Sequence, residues 1–260
     1  MRVHAFVLAA LSIAAAPVHA QRVKPVVDVD GGYLLGVVVD GAWRDGEHGA
    51  PLVRGGERYR VFAGGRLLGA ATGARPVSFE EPCPETFGVK LTPEREDAEV
   101  AVVGTWNVRP RPVTRVDANL PAYREVIRQL LVRHRMPVVV RITGVTRVDL
   151  DGDGTDEAIV SATRSSSETT RVAAGDYSIL LVRKLVRGVP QTVILDEEYH
   201  ARASEEEILN TYTLGGVYDL DGDGVYEIVA RGRYYEGAWS TVYRIRGTRA
   251  VTLASAGCGA

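Results

Sequence analysis

Two stretches of the chain crowd carboxylates at the mouth of an apolar run: VDLDGDGTDEAIV at 148–160 and YDLDGDGVYEIVA at 218–230. Aligned on their first aspartate, Asp149, Asp151, Asp153 and Glu157 match Asp219, Asp221, Asp223 and Glu227, so both read D-x-D-x-D-G-x-x-E. Aspartates at every second position converge on one point when the chain wraps round it, and Gly154 or Gly224 permits the sharp turn this needs. The next residue, Thr155 or Val225, would turn its backbone carbonyl inward, a task that needs no particular side chain. Glu157 or Glu227 closes the cage with one or both oxygens. Six or seven hard oxygens suit Ca2+, whereas magnesium holds to six at shorter distance and zinc prefers nitrogen and sulfur. Without a cation the carboxylates repel, and some would stay protonated. A plain acidic turn is the competing reading, but a turn needs one Asp and one Gly, not three alternating aspartates and a glutamate. Two calcium sites are the expectation.

The elements that must carry these loops are strands. An EF-hand would need a glutamate at its twelfth position, where Val160 and Ala230 stand, and helices on either side. The flanks EAIVSAT and YEIVARG alternate as strands do. From Pro137 onward the order runs twice as strand, acidic loop, three strands, with Asp149 and Asp219 offset by 70 residues. An internal repeat of about four strands per unit points to stacked or radially arranged sheets.

Strand, D-x-D-x-D-G-x-x-E loop, strand resembles the FG-GAP and VCBS repeats of integrin-alpha-type β-propellers, over residues 138–260. The resemblance implies that Asp149, Asp151, Asp153 and Glu157, and then Asp219, Asp221, Asp223 and Glu227, bind calcium between the first two strands of a blade. The Gly-Ala-Pro that often follows such loops is here SAT or ARG. Two loops are too few for a closed propeller of that family. The expected fold class is therefore mainly β, with tandem propeller-blade-like sheets in an open stack, or in one completed by N-terminal strands.

Residues 21–115 read as a separate N-terminal β region. ERYRVFAGGRLLGAA is a hairpin pattern turning at Gly64-Gly65, and EEPCPETFGVKLTPERED at 80–97 reads as a long loop. RPRPV at 109–113 is an extended connector. One connecting helix is expected within 116–137, with Asn119 as N-cap and Pro121 in its first turn. Tyr123, Ile127, Leu130, Leu131 and His134 share one face, and Arg124, Arg128 and Arg135 a solvated one.

Residues 1–20 have a basic start at Arg2, an apolar run at 5–16, and small residues at Val18 and Ala20. This is the pattern of a secretory signal peptide cut after Ala20, and it places the chain outside the cell or in the periplasm. No later run reaches membrane-spanning length. With 31 basic and 33 acidic residues the chain has no electrostatic case for nucleic acid. Its two cysteines, Cys83 and Cys258, form either one disulfide between the two halves or two free thiols.

No G-x-S-x-G or H-E-x-x-H is present. Ser165, Ser166 and Ser167 read as a hairpin loop. His200 beside Glu197, and His48 in a Gly-rich turn, read as surface histidines. The leading expectation is a calcium-stabilised structural or binding module with a protein or carbohydrate ligand. The alternative is a secreted hydrolase with its active site in residues 21–115 and the repeats as accessory.

Overall fold

In a computed structural model, described over residues 23–165 and 171–259, the chain is mainly β. The expected signal peptide, and Ser166 and Ser167, lie outside the described residues.

Short apolar runs separated by Gly turns build the N-terminal region. They form β1 (Val23–Asp28), β2 (Tyr33–Val39), β3 (Ala42–Asp45), β4 (Arg58–Ala63), β5 (Arg66–Gly73), β6 (Val77–Ser78), β7 (Phe87–Gly88), β8 (Leu91–Thr92) and β9 (Val100–Val102). Seven of these join in the order β3-β2-β1-β9-β4-β5-β8 and curl into a half-barrel, while β6 and β7 pair as a separate ribbon. The hairpin turns at Gly64 and Gly65, both at positive φ, with Ala63 paired to Arg66. The segment 80–97 is not one long loop, because β7 and β8 lie within it. A short helix, α1 (Gly46–Gly49), stands where a turn was expected. The Asp45 carboxylate caps it by accepting the His48 N–H at 2.8 Å.

The second half contributes β10 (Val113–Arg115), helix α2 (Pro121–Arg133), β11 (Ile142–Val148), β12 (Glu157–Arg164), β13 (Arg171–Val172), β14 (Asp176–Val186) and β15 (Val189–His200). It continues with β16 (Ser204–Ile208), β17 (Thr211–Tyr218), β18 (Glu227–Arg233), β19 (Gly237–Arg246) and β20 (Arg249–Gly259). Strands β11-β12-β14-β15 and β17-β18-β19-β20 are two antiparallel four-stranded meanders, with an acidic loop between the first and second strand of each. β10, which begins at the end of the RPRPV connector, adds an outer strand beside β11.

Successive residues on a strand face opposite ways, and here both ways are buried. On β18, Ile228 and Ala230 pack with Ile159, Leu180 and Val182 of the β11–β15 sheet. Val229, between them, packs with Val26, Leu35, Phe62 and Val100 of the half-barrel. The last sheet of the chain is thus the middle layer. Beyond the β11–β15 sheet, α2 forms the outermost layer: Ile127, Leu130 and Leu131 cover Ala158, Val160, Ala162 and Ile179. The helix begins on Leu120, without a side-chain cap, rather than on Asn119. Asn119 instead donates both its backbone and its side-chain N–H to Asp117, and Pro121 supplies the preset φ at the first helical position. Arg128 on the solvent face is paired with Glu125 at 2.6 Å.

Cys83, in the turn between β6 and β7, and Cys258, on β20, form a disulfide with Cα atoms 5.6 Å apart. It ties the N-terminal ribbon to the middle sheet.

Candidate metal centre

Each acidic loop joins two paired strands, and the local chemistry is the same in both. Gly152 and Gly154, and Gly222 and Gly224, all hold positive φ, the conformation that lets so tight a loop fold back on its own aspartate. Asp149 accepts the N–H of Gly152 at 2.7 Å and of Gly154 at 3.1 Å, and Asp219 accepts those of Gly222 and Gly224 at the same two distances. The glutamates point back under the loops: Glu157 accepts the Leu150 N–H at 2.9 Å and Glu227 the Leu220 N–H at 2.8 Å.

The loops bring together Asp149, Asp151 and Glu157, and Asp219, Asp221 and Glu227. Within each triad one oxygen per residue lies within 4.8 Å of the others, so each triad can hold a metal ion. Asp153 and Asp223 face their own loops, accepting the N–H of Thr155 at 2.7 Å and of Val225 at 2.8 Å.

The donor set is hard oxygen throughout, which fits a hard divalent cation. The glutamates are almost fully buried, Glu157 at 1% and Glu227 at 0% exposure. Burial pushes the Glu157 carboxyl above its ordinary range, against the pull of the Leu150 N–H and Lys184. Burial pushes Glu227 further, up to about 8, with Arg244 pulling the other way and Asp221 adding to the rise. Asp219 is raised too, again by burial. Burial disfavours the ionised form of each, and an adjacent positive charge would stabilise it.

Part of that charge comes from a strand outside the loop, and sequence reasoning missed it. Lys184 on β14 reaches Asp151 at 2.7 Å and Glu157 at 3.3 Å. Arg244 on β19 reaches Asp221 at 2.8 Å and Asp223 at 2.9 Å, and contacts Glu227 through two nitrogens. The two cations are structural equivalents. Ala158 pairs with Arg183 and Ile228 with Tyr243, so the next residue along faces the loop glutamate in both sheets. Burial works to lower both cations, and the carboxylates outweigh it and hold both above their ordinary values.

Arg111, also unanticipated, sits between the loops. It donates to the carbonyls of Asp149 at 2.7 Å, Leu150 at 3.0 Å and Gly224 at 2.9 Å, and its backbone exchanges hydrogen bonds with the Tyr226 hydroxyl. The half-barrel side supports the second loop. Trp106 donates to the Asp219 carbonyl at 2.7 Å, Lys24 to the Asp221 carbonyl at 2.8 Å, and Trp43 to the Asp221 carboxylate at 3.1 Å.

The Trp106 ring lies against Gly222, where a Cβ would stand 2.8 Å from it, while a Cβ on Gly224 meets nothing within 4 Å. Alanine at either position carries the left-handed penalty of about 1–2 kcal/mol. Gly222→Ala is therefore expected to destabilise the fold more than Gly224→Ala, as read from urea-unfolding midpoints.

The remaining candidates are placed as follows. His200 pairs with Glu198 at 2.5 Å and Glu207 at 3.1 Å rather than with Glu197, which accepts from Tyr199. His48 is an exposed partner of Asp45. A cavity of about 350 Å3 opens at the half-barrel mouth, with an apolar floor of Val27, Val61, Val89 and Leu91 and a charged rim that includes Asp30, Lys90 and Arg95.

Comparison with protein-family models, with curated proteins and with solved structures returned no match.

Proposed function

We propose that the chain is an exported calcium-binding structural or binding module of the FG-GAP/VCBS-like kind, whose acidic loops take Ca2+ at the cell surface or in the periplasm. One observation carries this reading: two loops of the same sequence pattern each converge three carboxylate oxygens, one of them from a nearly fully buried glutamate. Export is supported by the composition of residues 1–20 and by the Cys83–Cys258 disulfide, a bond that persists in oxidising compartments.

Calcium here acts as a fastener. Extracellular modules bind it with Kd of about 0.1–1 mM. At about 1 mM calcium and a Kd of about 0.1 mM, each filled site adds about 1.4 kcal/mol. For a chain of this size that raises the melting midpoint by roughly 3–5 °C per site.

The test is a thermal melt in EDTA, in calcium and in magnesium. The expected outcome is a rise with calcium that equal magnesium does not reproduce, and that shrinks in Asp151→Ala. A midpoint unmoved by several times the Kd would return the loops to plain acidic turns.

A further inference from the structure

The two loops share a sequence pattern but not a set of neighbours. The first is the more open: the Asp151 side chain is 37% exposed, and its counter-charge is Lys184, an ammonium 9% exposed that touches two carboxylates, with the Arg111 guanidinium farther off, 3.9 Å from Asp149. The second lies under the half-barrel. Its Asp221 side chain is 5% exposed, and one oxygen of that carboxylate is taken by both Trp43 and Arg244. Arg244 spans Asp221, Asp223 and Glu227 at once.

A guanidinium is a planar fork of fixed donors, always charged and less strongly hydrated than an ammonium, so it loses little when held in such a site. A lysine in the same position is a point charge on a four-carbon stem that can swing to water while an ion takes its place. An ion at the first loop must displace one ammonium from a half-open cage. An ion at the second must displace a guanidinium bonded to three carboxylates beneath two tryptophans.

We propose that the loops are unequal: the first is the exchangeable calcium site, and the second is closed by Arg244, whose guanidinium serves as its built-in cation. The inference rests on the calcium reading above and refines it from two like sites to one. It also assigns the choice to one residue per loop, Lys184 or Arg244.

Equilibrium dialysis of the folded chain against calcium, with the bound metal counted by atomic emission, tests it. Wild type is expected to bind one ion, with any second requiring about tenfold more calcium, a factor equivalent to about 1.4 kcal/mol. Arg244→Lys is expected to bring the second ion into the range of the first. Lys184→Arg, the reverse exchange, is expected to weaken the first by about tenfold. Two ions of equal affinity in wild type would overturn the inference and leave the calcium reading standing. So would an unchanged affinity in Lys184→Arg, which decides the matter if Arg244→Lys fails to fold by near-UV circular dichroism. No bound ion in any variant up to about 10 mM calcium, well above the range of extracellular modules, would overturn the calcium reading and this inference with it.

Discussion

Alanine at Arg244 is expected to lower the stability of the calcium-free protein by about 3–5 kcal/mol, the range for removing one partner of a buried ion pair. The size follows from what is left behind. Glu227 is fully buried, and Asp221 nearly so, at 6% exposure. With the guanidinium gone, two carboxylates share a water-poor pocket and Asp223 loses its partner at 2.9 Å. The loop must then hold a proton or open. Lys184→Ala removes the equivalent charge from the first loop, where Asp151 can turn to water. A loss of about 1–2 kcal/mol is expected there, the scale of a hydrogen bond to a charged group.

Calcium should divide the two variants further. In Arg244→Ala the emptied cage becomes available to an ion, so millimolar calcium should return more stability to that variant than it adds to wild type. Urea unfolding with EDTA and with calcium, at one pH and ionic strength, gives all four values. An Arg244→Ala protein within about 1 kcal/mol of wild type in EDTA, the size of an average point substitution, would mean that the loop carboxylates do not depend on the arginine.

These cations were the part of the site that the sequence did not disclose, and the reason is geometric. The loop ligands are local: all eight acidic positions align once Asp149 is set on Asp219, because one short loop positions each set. Lys184 and Arg244 come from the strands paired to β12 and β18, β14 and β19, across a connection whose length differs between the units. Their offset is 60 residues where that of the loops is 70, so an alignment built on the loops passes over them. The face of α2 was legible for the same reason as the loops, since Ile127, Leu130 and Leu131 lie within two helical turns. The layer order was not. Consecutive apolar pairs such as Ile228-Val229 and Val242-Tyr243 show that both faces of a strand are covered. They do not say by what, and the sheet that ends the chain proved to be the middle one.

The second large effect is expected from the disulfide. Replacing Cys83 and Cys258 together by serine should cost about 2–5 kcal/mol, and chain entropy for a crosslink spanning 175 residues places it near the top of that range. The crosslink joins two layers that also meet through an apolar contact, with Tyr33, Leu35, Phe62 and Val102 packed against Tyr218, Leu220, Val242 and Ala254, and through polar bonds such as those of Arg231 and Ser240 to Asp28. That apolar contact remains in the variant, so the same fold is expected at lower stability. The consequence for the loops should be one-sided. The second loop leans on Lys24 and Trp43 of the N-terminal sheet and on Trp106 beyond it, and weakening the seam between the layers loosens those supports. The first loop is built on β11, β12 and β14, away from the seam, and its calcium affinity should be unchanged within experimental error. Denaturant unfolding of oxidised wild type and the double variant gives the stability term, and calcium titration of each gives the second. A variant that loses calcium affinity at the first loop in step with its stability would show that the seam holds both loops, and that the sheets behave as one cooperative unit.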